Sequence, residues 1–307
     1  MYTTPLYIVL PLSILSIAIV VSNVAVCFLV CLNKNLRTFT NGFIVSLAIS
    51  DILVGGVLFP CYLTNPVGTA DFIGYLVSII LLAGVANLCT VTYDRYLALN
   101  QPLEYSFKIS RIFLKVVPAS WIIPIVYSLL PLIWNTDRRE KIHKIYLIGL
   151  QLIGVIIPYI FIIIAYCTIF RRVRRSLKLR KQFSLNSSKR SKQERKRVTS
   201  EAKVAKVFLI VSASFILCWL PVIFITTAGE IFDRIDVIPE ALEIISFFTI
   251  AFSSLVNPLV YSFMKPDFNK AIVKALNRHL KRGGNYTTND QTIALTPMSV
   301  TATYIAE

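Results

Sequence analysis

The chain has 307 residues, 55% of them apolar, with 32 Lys and Arg against 16 Asp and Glu, a net charge of +16. Long apolar runs consume nearly all of that length, which leaves room for one domain plus tails and excludes a second folded unit. A basic surplus in a soluble protein points to nucleic acid, but 15 basic residues fall in 171–206 and 6 in 265–282, between and after apolar runs. That placement marks one side of a membrane instead of a nucleic-acid surface.

The first apolar run, Leu6–Leu32, has no basic region before it and is too long for a signal-peptide core, so it reads as a retained span. Runs 39–70, 72–93, 116–136, 145–170, 207–229 and 244–264 come next, each past the about 20 residues that a crossing helix needs. Backbone amides in hydrocarbon must be paired within the segment, and the alternating polarity of a membrane barrel is absent. The predicted fold class is an all-α membrane protein: a seven-transmembrane helix bundle over 1–280, with a disordered cytoplasmic tail at 281–307. Asp51 is the one charge inside the seven runs. A charge in hydrocarbon is costly and faces the bundle interior, which makes Asp51 a functional candidate.

Of the basic residues, 27 lie on one side of the predicted bundle and 5 on the other, namely Arg138, Arg139, Lys141, Lys144 and Arg234. The richer side faces the cytoplasm, which predicts a multi-pass plasma-membrane protein with its N-terminus outside and its C-terminus inside. The connections on the outer side are short. On the inner side, 176–200 is rich in Ser, Lys and Arg and predicts a flexible loop between helical extensions, with arginines suited to anionic lipid at about 1 kcal/mol each. After the seventh run, Lys265-Pro266-Asp267-Phe268 breaks the helix. Phe268, Ile272, Val273 and Leu276 then recur at helical spacing with Lys270, Lys274 and Arg278 between them, an amphipathic helix on the inner leaflet. The sequons at Asn186 and Asn285 fall on the inner side and predict no glycosylation. None of the six cysteines lies in an outer loop, so all six read as packing residues and no extracellular disulfide is expected.

Asp94-Arg95-Tyr96 closes the third run and Pro102-Leu103 stands just after it. Asn23 lies in the first run, Leu47-Ala48-Ile49-Ser50-Asp51 in the second, Trp121 in the fourth, and Pro158 with Tyr166 in the fifth. The sixth carries Cys218-Trp219-Leu220-Pro221 and the seventh Asn257-Pro258-Leu259-Val260-Tyr261. Together, each on its proper side, these resemble a rhodopsin-like (class A) G-protein-coupled receptor over roughly residues 6–279. The resemblance implies a signalling receptor, not an enzyme, which binds an extracellular ligand and activates a heterotrimeric G protein as the sixth helix moves outward. It implies a polar core of Asn23, Asp51, Ser253, Ser254 and Asn257. In relatives that core often holds sodium, but Gly84 stands where the family commonly has a serine, so a purely structural network is an equal reading.

By the same resemblance Trp219 and Phe215 are the pocket floor and the switch beneath it, Tyr166 and Tyr261 rearrange together, and Leu103 is the knob that enters the G protein. Asp94 and Glu201 would latch Arg95 until the bundle opens around Pro221. Kinases and arrestin would meet the Ser/Thr-rich tail. Pro158, Pro221 and Pro258 each remove a backbone hydrogen bond and predict places to bend. No cofactor and no metal is implied.

Val77, eighteen residues and about five turns before Arg95, sits where monoamine receptors carry an aspartate. The run 244–264 has no lysine for retinal. Other residues expected around the cavity, Leu81, Leu150, Gln151, Gly154, Val222, Ile223, Thr226 and Phe247, are mostly apolar, with Ser78 and Glu243 the polar exceptions. They predict a small, largely apolar ligand. Two alternatives stand beside this one: an amine paired with Glu243, and a receptor-like protein that signals without a ligand. An intramembrane enzyme needs a buried Ser–His or paired-carboxylate set, but His143 and His279 lie outside the runs and Asp51 has no second membrane carboxylate. A transporter would show repeats or charges along a path.

Overall fold

The computed structural model describes residues 5–64, 70–134, 141–182, 189–265 and 267–274, with the backbone alone at 70–71, 176–182, 189–198, 200–202 and 204. Among them, seven helices are long and apolar enough to cross a membrane, and no strand occurs. Helix α1 is Leu6–Leu32. Helix α2 comprises Phe39–Leu53, a wide π turn at Val54–Leu58, and Phe59–Thr64. Helix α3 is Ala70–Asn100, and α4 is Tyr105–Leu129, continued by a 3-10 turn at Leu130–Trp134. Helix α5 joins Lys141–Gln151, a second π turn at Leu152–Ile156, and Ile157–Gln182. Helix α6 is Lys189–Ile225, extended by a third π turn at Thr226–Ile231; α7 is Glu240–Met264, and α8 covers 267–274.

Burial tracks the helical repeat. In α1 the buried residues Leu12, Ser16, Ile19, Asn23, Val26 and Val30 step by four and three, one stripe on one face. The opposite face keeps Leu6, Ile14 and Phe28 exposed, because lipid solvates them as well as a protein core does. Helix α3 packs against α2, α4, α5 and α6, which makes it the central post, while α7 packs on α1, α2 and α6 and closes the ring. The apolar windows of α1 and α4 are 22% buried against 61% for α2, so those two helices form the lipid-facing flanks.

The structure departs from the sequence expectations in several places. Residues 176–182 and 189–200 are helical instead of a flexible loop, because Lys, Arg, Gln and Glu are good helix formers and the run propagates from membrane helices already nucleated. The helical pattern continues through Pro221 and Pro258, and Pro158 stands just after a π turn. Irregularity is concentrated in the three π turns, each of which adds a residue to one turn and rotates the remainder of its helix by about 100°. The turns in α5 and α6 are bridged: Thr227 Oγ1 donates to Gln151 Oε1 at 3.1 Å. Ser16 of α1 donates to the Gly55 carbonyl inside the π turn of α2. Beyond α6, Arg234 grips Asp236 through two bonds of 2.8 and 2.9 Å and holds that carboxyl below its ordinary range. The expected tail at 281–307 lies outside the described residues, as do 65–69, 135–140, the centre of the expected loop at 183–188, and 275–280, the end of the expected amphipathic helix.

Candidate functional site

At mid-bundle Asp51 is 4% exposed, and Asn257 Nδ2 donates to its Oδ2 at 2.8 Å. Asn23 Nδ2 donates to the carbonyls of Ser254, at 3.2 Å, and Ile19, at 3.0 Å, while Ser253 donates back to Ile250. Side chains from α1, α2 and α7 therefore meet around a buried carboxyl, and Ser254 is buried beside them. Gly84 serves a different neighbour. A Cβ added there would stand 2.7 Å from two ring carbons of Phe215, so the missing side chain is the notch that this ring fills. Phe215 in turn stacks on Trp219 with centroids 5.5 Å apart and an interplanar angle of 28°, both rings buried.

The basic end of the bundle is closed by a knot on Asp94. Arg95 donates to Asp94 Oδ2 from Nε at 2.9 Å and from Nη2 at 2.5 Å, and Thr40 Oγ1 donates to the same oxygen at 2.8 Å. The Tyr105 hydroxyl donates to Oδ1 at 2.8 Å, and Arg95 Nη2 also reaches Thr40. Asp94 is fully buried and Arg95 is 5% exposed, with the guanidinium 6.0 Å from the Phe208 ring of α6. Tyr96 beside them is half-buried, whereas Leu103 is 96% exposed. Glu201 belongs to α6, and its side chain lies outside the described residues. Tyr166 is buried beside Thr92 and Ser212, and Tyr261 is buried between Phe208 and Phe268, at 6.0 and 6.2 Å. Phe268 anchors α8 under the bundle. Lys265, 2% exposed, donates to Asn41 Oδ1 and lies 4.9 Å from the Phe268 ring, while Asn41 Nδ2 donates to the Leu36 carbonyl at 2.7 Å.

At the opposite end a cavity of about 210 Å³ opens between α3, α5 and α6. Val77, Ser78 and Thr226, which the sequence reading expects around a ligand cavity, line it together with His143, Tyr146 and Glu230, which that reading does not place there. Leu81 and Leu150 are buried, at 5% and 4% exposure, and do not reach it. Val222 and Ile223 pack against the core, and Gln151 accepts from Thr227 at Oε1 and does not line the cavity. Gly154 lines a different, membrane-facing hollow. Phe247 lies on Tyr62 of α2 at 3.9 Å, and Glu243 is exposed in the first turn of α7. The lining of this cavity is accordingly more polar than predicted. The π turn of α6 explains Glu230: it carries helical winding past the point where the sequence expects a loop.

The family profile of the seven-transmembrane receptors (rhodopsin family) matches residues 22–261, which span the buried carboxyl, the knot and the cavity. The chain belongs to the rhodopsin family of seven-transmembrane receptors. Similar proteins include octopamine receptor beta-2R of Chilo suppressalis, 27% identical, the match covering 86% of this chain and 78% of that one. Adenosine receptor A2a of Homo sapiens is 27% identical, with 90% and 73% covered. The D(1B) dopamine receptor of Xenopus laevis is 28% identical, with 83% and 66% covered.

The receptor carries a further polar set that sequence reasoning misses. Asn87 of α3 accepts at Oδ1 from Ser46 of α2, at 2.7 Å, and from Ser120 of α4, at 3.2 Å, and donates to the Ala83 carbonyl at 3.0 Å. Trp121 Nε1 donates to Ser46 Oγ at 2.9 Å. An amide inside a membrane run is the signal that could have found this set, since hydrocarbon offers it no partner. Thr40 and Tyr105 are also missed; their hydroxyls are conspicuous only once α2 and α4 are seen to begin level with Asp94.

Proposed function

We propose that this receptor answers a small extracellular molecule by activating a heterotrimeric G protein from its basic end, which faces the cytoplasm. The closed knot on Asp94 carries the reading. Arg95 is withheld from the basic end while Leu103, eight residues on and just past the end of α3, stands almost wholly exposed as a ready contact. Opening means that α6 swings away, Arg95 is released, and the cleft beside Leu103 admits the G protein. A change in packing at the cavity would pass to the knot through the buried core, in which Asp51 meets Asn257 and Phe215 stacks on Trp219. An agonist acts by its differential affinity for the open bundle, and the G protein favours the same state from the other side. Kinases and arrestin would act on the tail, and basic residues of α5 and α6 on anionic lipid. The receptor performs no covalent chemistry.

The ligand enters the cavity at the opposite end. At about 210 Å³ it lies below the 300–1,000 Å³ range of drug-sized sites, so the ligand is small. Val77 gives α3 no anion, which favours an uncharged ligand whose polar groups meet Ser78, Thr226 and Tyr146. Relatives are named for adenosine, dopamine and octopamine, molecules of that size. A second reading, an amine, is favoured by one observation: Glu230 lines the cavity, and Glu243 does not. A resonance-energy-transfer assay of G-protein dissociation, run against amines and nucleosides in cells expressing the receptor, tests both. A response from either class that Arg95→Ala abolishes at equal surface expression supports the function. Saturable surface binding of a ligand with no dissociation of any G protein would end it. Glu230→Gln separates the readings, because it removes an amine response by about tenfold or more and leaves that of a neutral ligand.

A further inference from the structure

Two polar contacts join α5 to α6 along the wall that these helices give the cavity. The inner one is the bond from Thr227 Oγ1 to Gln151 Oε1 at 3.1 Å. The outer one is an ion pair between the Lys144 ammonium and Asp233 Oδ2. On α5, Lys144 and Gln151 are seven residues apart, about 10 Å of helix, and Tyr146 and Leu147 line the cavity between them. On the α6 side, Glu230 lines the cavity between Thr227 and Asp233. Lys144 belongs to the first turn of α5 and Asp233 stands beyond the last turn of α6, so the ion pair crosses the seam at its outward rim.

The backbone holds Asp233 in an uncommon conformation to make this contact. It follows Phe232, the cap of α6, with φ +53°, the one left-handed non-glycine residue among the described residues. Glycine is usual at such a position because a Cβ crowds the backbone there, and Asp is among the few other residues that tolerate it. The turn itself is firm. Arg234 N–H closes on the Ala228 carbonyl at 2.7 Å, and a Cβ on Gly229 would come within 3.2 Å of Ile238 Cδ1, so the chain after the turn lies against the helix. The Arg234 guanidinium is turned to Asp236, which leaves the Asp233 carboxylate to Lys144. The side chains of Lys144 and Asp233 are 26% and 60% exposed, so water and salt reach the pair. A pair so exposed adds little to stability and opens readily.

We propose that the Lys144–Asp233 pair is a gate on the rim of the cavity. Closed, it holds α5 to the turn after α6 and slows the passage of small molecules; open, it frees the seam above Glu230 while the Thr227–Gln151 bond keeps the helices together below. The ligand enters and leaves through that seam, a statement that rests on the reading of this cavity as the ligand site. A gate bears on entry and exit alike, so its loss speeds both and leaves affinity little changed.

The test needs no ligand. Full-length receptor carrying Ser78→Cys on the cavity wall is placed in nanodiscs and treated with methyl methanethiosulfonate, a small neutral thiol reagent. The rate of modification at position 78 is read by mass spectrometry, and no native cysteine lines the cavity among the described residues. Asp233→Asn and Lys144→Met should each raise that rate by about twofold to fivefold, the worth of an exposed ion pair. The two together should be no faster than either alone. Asp233→Gly, which suits the turn but removes the carboxylate, should match Asp233→Asn. Raising salt from about 0.05 M to about 0.5 M should speed the receptor with the pair intact and not the variants that lack it. Rates equal to that of the intact pair in all the variants, or increments that add in the double variant, would overturn the gate. Faster modification with unchanged dissociation of whichever amine or nucleoside proves active would uphold the gate and place the ligand outside this cavity.

Discussion

Gly84→Ala should raise signalling in the absence of ligand. The new Cβ would stand 2.7 Å from two carbons of the Phe215 ring, about 1 Å inside the 3.5–4.0 Å optimum for carbon pairs. Phe215 is 5% exposed and stacked on Trp219, so it has no free rotamer to take, and the closed packing is strained. Overpacking of this kind costs about 1–3 kcal/mol. If α6 carries Phe215 away from α3 on opening, the cost falls on the closed state alone, and the ratio of open to closed rises by about 5-fold to 150-fold. A receptor that rests about 1% open would then rest at about 5% to 60%. The gain in helix propensity on going from Gly to Ala acts on both states and cancels. The assay is basal G-protein dissociation at matched surface density, beside the double variant with Phe215→Leu, whose shorter side chain should restore low basal activity by relieving the clash. Unchanged or lowered basal activity in Gly84→Ala, with only a reduced thermal midpoint, would mean that the notch belongs equally to both states and that Phe215 does not leave it on opening.

Asp51→Asn should cut agonist-driven G-protein activation by about tenfold or more while ligand binding and surface expression persist, because the carboxyl that receives Asn257 sits in the joint and not in the cavity; wild-type signalling in a dose–response assay would make Asp51 merely structural. Asn41→Leu should destabilise the receptor by about 1.5–3 kcal/mol, seen as a lower thermal midpoint in detergent, since it strips an acceptor from the buried Lys265 ammonium. The companion variant Asn41→Ser, which keeps an oxygen, should lose less, and equal losses would argue against the hydrogen bond as the cause.

The seven spans are legible in the sequence because hydrocarbon imposes one demand on every residue at once, and Asp51 is legible because it is alone. The cavity is legible only in part. Val77 falls where helical spacing from Arg95 puts it, but such spacing assumes an unbroken repeat, and the π turns of α5 and α6 add residues that no composition signal marks. Glu230 belongs to the cavity wall instead of a loop for this reason. Glu243, expected as the polar group at the top of α7, is exposed in the first turn of that helix and does not line the cavity. The basic residues 176–182 and 189–200, helical in α5 and α6, read as a loop in sequence since their charge hides their helix propensity. Partners such as Thr40 with Asp94, or Ser46 with Asn87, join residues 54 and 41 positions apart, and only the packing of α2 on α3 brings them together.

The Asn87 set divides the receptor into a part that stays and a part that moves. Ser46, Asn87, Ser120 and Trp121 tie α2, α3 and α4 through bonds that hydrocarbon cannot replace, so separating these helices would expose donors with nowhere to go. Helix α6 shows no such tie at mid-membrane among the described residues: facing α3 there is the Phe215 ring resting in a notch, a contact that can slide without orphaning a polar atom. Its polar bridge to α5, between Thr227 and Gln151, lies at the far end beside the cavity. The receptor is built as a stator of three helices and a lever pinned near one tip, so a small displacement at the pin sweeps a larger arc at the end where Arg95 is held.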